Sequence, residues 1–182
     1  TYSESIPRNM EIKNQLNEVK AGITKVKAEG HEQLYTTVAA AFNKYESLRG
    51  RNGELAKRFG AEIVSNAWMK MYETMTLVDL PKTGEWNTFH IAEAPGNFIL
   101  AINHYVYNHR SQMHWNWYAN SFKDIFGSKD GQYLDDNYGI MKSYPDKWLY
   151  GADSDGDITS PANIETFAET FPQTLNFVTS DV

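Results

Sequence analysis

The fold of this chain is indicated by the stretch FHIAEAPGNF, residues 89–98. Its first half belongs to an apolar run that predicts a short buried strand over Thr88–Ala92. Glu93 and the Pro95-Gly96 pair then turn the chain, and the apolar periodicity from Asn97 onward predicts a helix. In open α/β sheets, ligands bind beyond the carboxyl ends of strands, next to such turns. The stretch therefore predicts either a ligand-binding strand–turn–helix unit or an ordinary turn whose glutamate is solvated.

The sequence after this unit repeats the alternation of strands and helices. Strands are predicted over Trp115–Ala119 and Leu175–Ser180, and a helix over Ala162–Thr170. Residues 120–160 are polar and rich in Asp, Gly and Ser, which predicts long loops. Strands that alternate with helices are typical of a parallel α/β sheet.

The sequence before this unit is mostly helical. Helices are predicted over residues 10–29, 32–48 and 54–77, and the first carries a heptad-like apolar stripe. The stripe consists of Ile12, Leu16, Val19, Ile23 and Val26. A turn-rich junction at residues 79–84 follows these helices. The predicted domains are therefore a helical N-terminal region, 1–80, and the first half of an α/β domain, 81–182.

Composition excludes several classes of protein. The 182 residues carry 17 basic and 23 acidic side chains, with a net charge of −6 and no cysteine. Without cysteine there is no disulfide framework, thiol nucleophile or cysteine-ligated metal. Residues 1–60 hold 10 Lys/Arg against 7 Asp/Glu, and the rest 7 against 16, so an RNA-binding function needs a local basic path. Neither a membrane span nor a secretory signal is visible, which favours an intracellular protein, in the nucleus or the cytoplasm.

Two further segments are candidates for chemistry. The acidic run Asp153–Thr159 begins like a calcium loop, but the closing position holds Ile164 where an EF-hand needs Glu. A ligand loop that uses Asp157 and a solvated loop are the other interpretations. Lys70 lies within an apolar helix, where a lysine usually extends its ammonium group to solvent. None of the histidines has the spacing of a metal site, and we expect no metal.

The order of the motifs resembles one known enzyme family. The motifs are Ala67–Glu73, Ala92–Ile99, Leu100–Tyr105, Trp115–Ser121, Asp155–Thr159 and Phe177–Asp181. Together they resemble the FtsJ-like (RrmJ-type) ribose 2′-O-methyltransferases. The branch that is most similar acts on capped mRNA in eukaryotes and large DNA viruses, at the second transcribed nucleotide. A viral member would act in the host cytoplasm or be carried in the virion.

The resemblance implies a Rossmann-like sheet that binds S-adenosyl-L-methionine and modifies capped mRNA. The implied cofactor residues are Glu93, Ala94, Pro95, Gly96, Asn97, Phe98, Asn120, Asp155, Asp157 and Ile158. The family uses a Lys-Asp-Lys-Glu tetrad, in which Lys70 matches the first lysine and Asp181 the aspartate. A lysine beside a ribose 2′-hydroxyl would orient that weak nucleophile and help to remove its proton.

The chain departs from the family pattern in two places. Asn97 stands where the family usually has a small residue, and no candidates follow Asp181 for the second lysine and the glutamate. We therefore expect an incomplete methyltransferase sheet that is inactive alone and is completed by a C-terminal part or a partner chain. The alternative is a catalytically inactive methyltransferase-like module for binding or assembly.

Overall fold

The computed structural model of this chain describes residues 2–43, 46–50, 52–123, 136–171 and 174–180. The helices are α1 (Tyr2–Val26), α2 (Glu32–Phe42), α3 (Glu54–Phe59), α4 (Asn66–Leu77), α5 (Asn97–His109), α6 (Ile140–Ser143) and α7 (Pro161–Thr170). The strands are β1 (Gly84–Ile91), β2 (Met113–Ala119) and β3 (Phe177–Ser180). Shorter helical turns occupy Lys27–His31, Glu46–Leu48 and Pro145–Lys147. None of the helices in these ranges is both long and apolar enough to cross a membrane.

The three strands form one parallel sheet in the order β2-β1-β3. Trp148 adds a parallel bridge to Ala119 on the outer side of β2. The chain thus leaves β1 toward one side for β2 and returns to the other side for β3. In open α/β sheets, the ligand crevice lies where the strand order reverses in this way. This topology directs attention to the carboxyl ends of β1 and β3.

Helices cover both faces of the sheet. Trp86 belongs to a buried cluster with Met75 of α4 and Ile102 of α5. Phe89 points to the opposite face, because successive strand residues alternate, and its ring lies 5.8 Å from that of Phe167 in α7. The predicted α/β class with a parallel sheet is therefore confirmed, as is the helical N-terminal region.

The chain divides into two compact units, Thr1–Arg49 and Gly50–Val182. In the first unit, the helix is interrupted at Gly30, which has a φ of 83° and was the predicted stop. The predicted apolar stripe lies on α1, and Ile12, Leu16 and Val19 are exposed. The domains predicted over 1–80 and 81–182 stay a prediction.

Two predicted helices are wrong in extent. The helix expected over residues 54–77 is interrupted, because Gly60 adopts a left-handed conformation that ends α3. Ser65 then starts α4 by accepting a hydrogen bond from the Trp68 amide. The helix expected to reach Leu48 ends at Phe42, where Asn43 is extended. The loop expected over residues 120–160 contains the short helix α6.

Candidate cofactor-binding site

The turn after β1 is held against the end of β2 by backbone contacts. The Glu93 amide donates to the Asn120 carbonyl at 2.9 Å, and the Ala94 amide donates to Ser121 Oγ at 2.7 Å. Gly96 closes the turn with a φ of 111°, and a Cβ there would lie 2.6 Å from Ile140 Cδ1. The left-handed conformation therefore favours glycine at this position, and a Cβ would in addition require the end of the Ile140 side chain to move.

Glu93 is buried and binds the first turn of α5. Its Oε1 accepts hydrogen bonds from the amides of Phe98 at 2.8 Å and Ile99 at 3.0 Å. Negative charge at a helix N-terminus is favourable, so Glu93 stabilises the helix that it precedes. A helix N-terminus ordinarily offers unpaired N–H groups to a ligand, but these two amides are used by Glu93.

Asn120 ends β2 and has no exposed surface. Its Nδ2 donates to the carbonyls of Leu149 at 3.0 Å and Gly156 at 3.2 Å. Those two carbonyl acceptors identify which side-chain atom is the nitrogen. The buried Oδ1 has no hydrogen-bond partner among the described residues. A buried carbonyl oxygen of this kind suits a ligand hydroxyl or amine donor.

The loop from Gly151 to Ser160 is held in place by hydrogen bonds to Asn163 of α7. Asn163 is fully buried, and its Oδ1 accepts from the Asp153 amide at 2.9 Å. Its Nδ2 donates to Asp155 Oδ1 at 2.8 Å and to the Asp157 carbonyl at 3.0 Å. A Cβ at Gly151 would overlap the Asn163 side chain. One buried amide side chain therefore holds three points of the loop in place.

The acidic side chains of this loop bind partners within it. Asp157 Oδ1 accepts from the amide and the hydroxyl of Thr159, at 2.8 and 2.7 Å. These two hydrogen bonds lower the pKa of the Asp157 carboxyl. Asp155 Oδ1 also accepts from the Asp157 amide at 2.9 Å. In the part of the chain that the structure describes, no three acidic or histidine side chains could hold a metal ion together.

Lys70 lies one and a half turns into α4, and its side chain is exposed. The start of that helix is tied to the turn, because Ser65 donates a hydrogen bond to Asn97 Oδ1 at 2.6 Å. Asp181 lies outside the described residues. The strand before it is described, and β3 pairs Thr179 with His90 of β1.

Trp148 is the aromatic residue that bridges to Ala119 at the end of β2. It is 5% exposed and belongs to a buried cluster with Ile99, Ala119 and Ile140. This side chain is therefore part of the core.

The structure brings the predicted cofactor residues of three segments to one edge of the sheet. The Glu93 amide donates a hydrogen bond to the Asn120 carbonyl, and Asn120 Nδ2 donates one to the Gly156 carbonyl. Gly156 lies between Asp155 and Asp157 in the sequence. Sequence reasoning missed Asn163, Ser65 and the contact of Asn97 with both neighbouring segments. Ser65 could have been found as a capping residue three positions before Trp68. Asn163 gives no local signal, because its partners lie 6 to 10 positions away in a loop.

Known proteins similar to this chain come from large DNA viruses and animals. It is 36% identical over 149 residues to the uncharacterized protein L511 of Acanthamoeba polyphaga mimivirus, covering 79% of this chain and 18% of that protein. It is 31% identical over 163 residues to the probable methyltransferase EP424R of African swine fever virus, covering 84% of this chain and 36% of that protein. It is 32% identical over 164 residues to the cap-specific mRNA (nucleoside-2′-O-)-methyltransferase 2 of Danio rerio, covering 85% of this chain and 20% of that protein. No protein-family model and no solved structure matches the chain.

These relatives confirm the resemblance predicted from the motifs, because two of the three are named as methyltransferases and one as cap-specific. The chain spans between about a fifth and a third of the length of these relatives.

Proposed function

We propose that this chain, as a relative of the cap-specific 2′-O-methyltransferases, forms the cofactor-binding part of an enzyme that methylates a ribose 2′-hydroxyl near the mRNA cap. The observation that supports this proposal most directly is the hydrogen-bonded edge formed by Glu93, Asn120 and Gly156. It lies at the carboxyl ends of β1 and β2, beside the reversal in strand order, where open α/β sheets bind their ligands. The proposed site of action, nucleus or cytoplasm, follows from this substrate.

The residues present fit S-adenosyl-L-methionine as the cofactor. The unpartnered Oδ1 of Asn120 is an acceptor for a ribose hydroxyl or an adenine amine. The buried carboxylate of Glu93 supplies negative charge for a ligand that carries sulfonium and ammonium groups. The turn Glu93–Phe98 and the loop Asp155–Ile158 would hold the cofactor, and the sheet would be Rossmann-like. When bound, the cofactor supplies an activated methyl group.

Lys70 and Asp181 are the proposed catalytic residues. Lys70 would orient the ribose 2′-hydroxyl and help to remove its proton as the oxygen takes the methyl group, and Asp181 would keep the lysine oriented. Positioning of this kind provides much of the rate in reactions whose electrophile is already activated. The second lysine and the glutamate of the family tetrad are proposed to lie in sequence that follows or in a partner chain.

The test is methyl transfer to capped RNA by the full-length protein carrying Lys70→Ala. We expect activity to fall by about 10²-fold or more, the usual scale for a group that handles a proton. Affinity for S-adenosyl-L-methionine should stay within about threefold, since this residue is not proposed to touch the cofactor. Lys57→Ala, an exposed lysine on α3, is the matched control and should keep full activity. Full activity of Lys70→Ala would remove Lys70 from the catalytic set.

A catalytically inactive binding or assembly module is the second candidate, and the exposure of Lys70 on α4 favours it. The same experiment separates the two candidates. A full-length protein that binds S-adenosyl-L-methionine and capped RNA but transfers no methyl group would support the module.

A further inference from the structure

We propose that Asn97 is a positioning residue that holds the lysine-bearing helix α4 against the cofactor turn. This inference rests on the proposed function. Asn97 is the first residue of α5 and directly follows Gly96 in the turn.

The side-chain oxygen of Asn97 joins three segments that are far apart in sequence. Its Oδ1 accepts a hydrogen bond from the Ser65 hydroxyl at 2.6 Å and another from the Tyr138 hydroxyl at 2.9 Å. The two donors lie 32 and 41 positions away from Asn97. One carbonyl oxygen has two lone pairs, so both of its acceptor sites are used.

The hydrogen bond between Ser65 and Asn97 affects the position of Lys70, because Ser65 is where the helix that carries Lys70 begins. Ser65 is the N-cap of α4, where its Oγ accepts from the Trp68 amide at 3.0 Å while its hydroxyl proton goes to Asn97. A rigid helix begins at this cap, and Lys70 is its fifth residue. The contact of Ser65 with Asn97 therefore links the start of the helix that carries Lys70 to the turn.

The hydrogen bond from Tyr138 to Asn97 holds the segment before α6 against the turn. Tyr138 precedes α6, and Ile140 of α6 fills the space that a Cβ at Gly96 would enter. Asp136 caps α6 by accepting from the amides of Met141 at 3.1 Å and Lys142 at 3.0 Å. Asn97 thus connects the lysine helix on one side and the segment that encloses the turn on the other.

This arrangement predicts that loss of the Asn97 oxygen lowers kcat while the affinity for the cofactor is kept. Both acceptor sites of the Asn97 side-chain oxygen are used by Ser65 and Tyr138, so Asn97 would contact the cofactor only through its backbone. Loss of that oxygen leaves the backbone of the turn, Glu93 and Asn120 in place, and the proposed cofactor contacts persist. It releases the start of α4, and a displacement of about 1 Å at a catalytic group can lower a rate by about 10²-fold. Asn97 should therefore affect kcat more than cofactor affinity.

The experiment compares Asn97→Ala, which removes the acceptor, with Asn97→Asp, which keeps an oxygen at the same place. In the full-length protein, Asn97→Ala should lower kcat for capped RNA by about tenfold or more and leave the dissociation constant for S-adenosyl-L-methionine within about threefold. Asn97→Asp should restore most of kcat. Asn108→Ala, at an exposed position on the last turn of α5, is the matched control and should behave as wild type.

Two further measurements complete the test. One is a double-mutant cycle of Asn97→Ala with Tyr138→Phe, and the other is amide hydrogen exchange. Tyr138→Phe should lower kcat less than Asn97→Ala and add nothing to it, because both remove the same contact. The amides of residues 66–70 should exchange faster in Asn97→Ala and at the wild-type rate in Asn97→Asp, because the cap loses its anchor. Unchanged kcat in Asn97→Ala, or equal loss in Asn97→Ala and Asn97→Asp, would overturn the proposal. If the wild-type protein transfers no methyl group, the proposed function fails, and hydrogen exchange alone decides the role of Asn97.

Discussion

His90 shows how one buried side chain joins neighbouring strands beside the site. It is fully buried in β1, and its Nε2 lies 2.8 Å from Thr88 Oγ1. Its Nδ1 lies 2.7 Å from Thr179 Oγ1 of β3, and Trp115 Nε1 of β2 donates to the same Thr88 oxygen at 2.9 Å. This polar chain links the three strands that the structure describes. Because hydroxyl groups both donate and accept, it satisfies either neutral tautomer of the imidazole.

Burial lowers the pKa of His90 from 6.5 to about 3, because the charged imidazolium would lose its hydration. The folded protein thus keeps His90 neutral at pH values where an unfolded chain protonates it. The unfolded state binds the additional proton, so the free energy of unfolding should decrease as pH falls from 6.5 toward 3. The slope from this group is at most about 1.4 kcal/mol per pH unit, and above pH 6.5 it vanishes.

We predict that His90→Gln removes this part of the pH dependence, measured by urea denaturation at several pH values. The variant itself is less stable at neutral pH, but the slope rather than the absolute value carries the prediction. His114→Gln, at an exposed position of β2, is the control. Equal slopes for wild type and His90→Gln between pH 3 and 6.5 would show that His90 is not held neutral.

At the scale of elements, α7 supports the acidic loop that precedes it. The helix packs Phe167 against the sheet, and one turn earlier directs Asn163 into the loop. Two of the hydrogen bonds of Asn163 hold the backbone on either side of Gly156, at the Asp153 amide and the Asp157 carbonyl, and the third holds the Asp155 carboxylate. The role of the loop therefore depends on a residue outside it, and the acidic side chains are oriented rather than merely solvated.

We predict that Asn163→Ala weakens S-adenosyl-L-methionine binding by about tenfold or more, measured by calorimetry. Each lost hydrogen bond contributes about 0.5–1.5 kcal/mol, and about 1.4 kcal/mol corresponds to a tenfold change in affinity. Glu165→Ala, at an exposed position of the same helix, should leave the affinity unchanged. Wild-type affinity in Asn163→Ala would place the cofactor away from this loop.

At the scale of the whole molecule, the two compact units differ in how they are stabilised. The unit from Gly50 onward contains the sheet and a core in which Val64, Met75 and Ile102 have no exposed surface. Between residues 9 and 43, none of the described side chains is buried. Stability is therefore concentrated in the second unit, because buried apolar surface is the main favourable contribution to folding.

We predict that Met75→Ala lowers the stability of the second unit by about 2–5 kcal/mol, the usual cost of a large-to-small core substitution. In hydrogen exchange, the most protected amides of β1, β2 and α5 should all lose protection together. The amides of α1 and α2 should exchange at unchanged rates. Leu77→Ala on the same helix is the control, because Leu77 is 79% exposed. Loss of protection confined to α4 would contradict a shared core.

The candidate site was predictable where its signal is local. Pro95 and Gly96 mark the turn, and the structure places Gly96 in a conformation that only glycine adopts easily. The role of Glu93 was not predictable, since a carboxylate before a helix can face a ligand or cap that helix. The structure shows its Oε1 on the α5 amides. A sequence pattern does not report which carboxylate oxygen caps the helix, because that depends on how the side chain is packed.

The sequence alone determined the elements, because helical and strand periodicities are short-range properties of the chain. It determined the strand–turn–helix unit at residues 88–98, the stop at Gly30 and the alternation that predicts a parallel sheet. Tertiary structure decided the strand order β2-β1-β3, the contact of Ser65 and Tyr138 with Asn97, and the anchoring of the acidic loop by Asn163. These features depend on contacts between residues from 6 to 41 positions apart or on strand pairing across 89 positions. Such contacts form only when packing brings the segments together, and no local pattern encodes their partners.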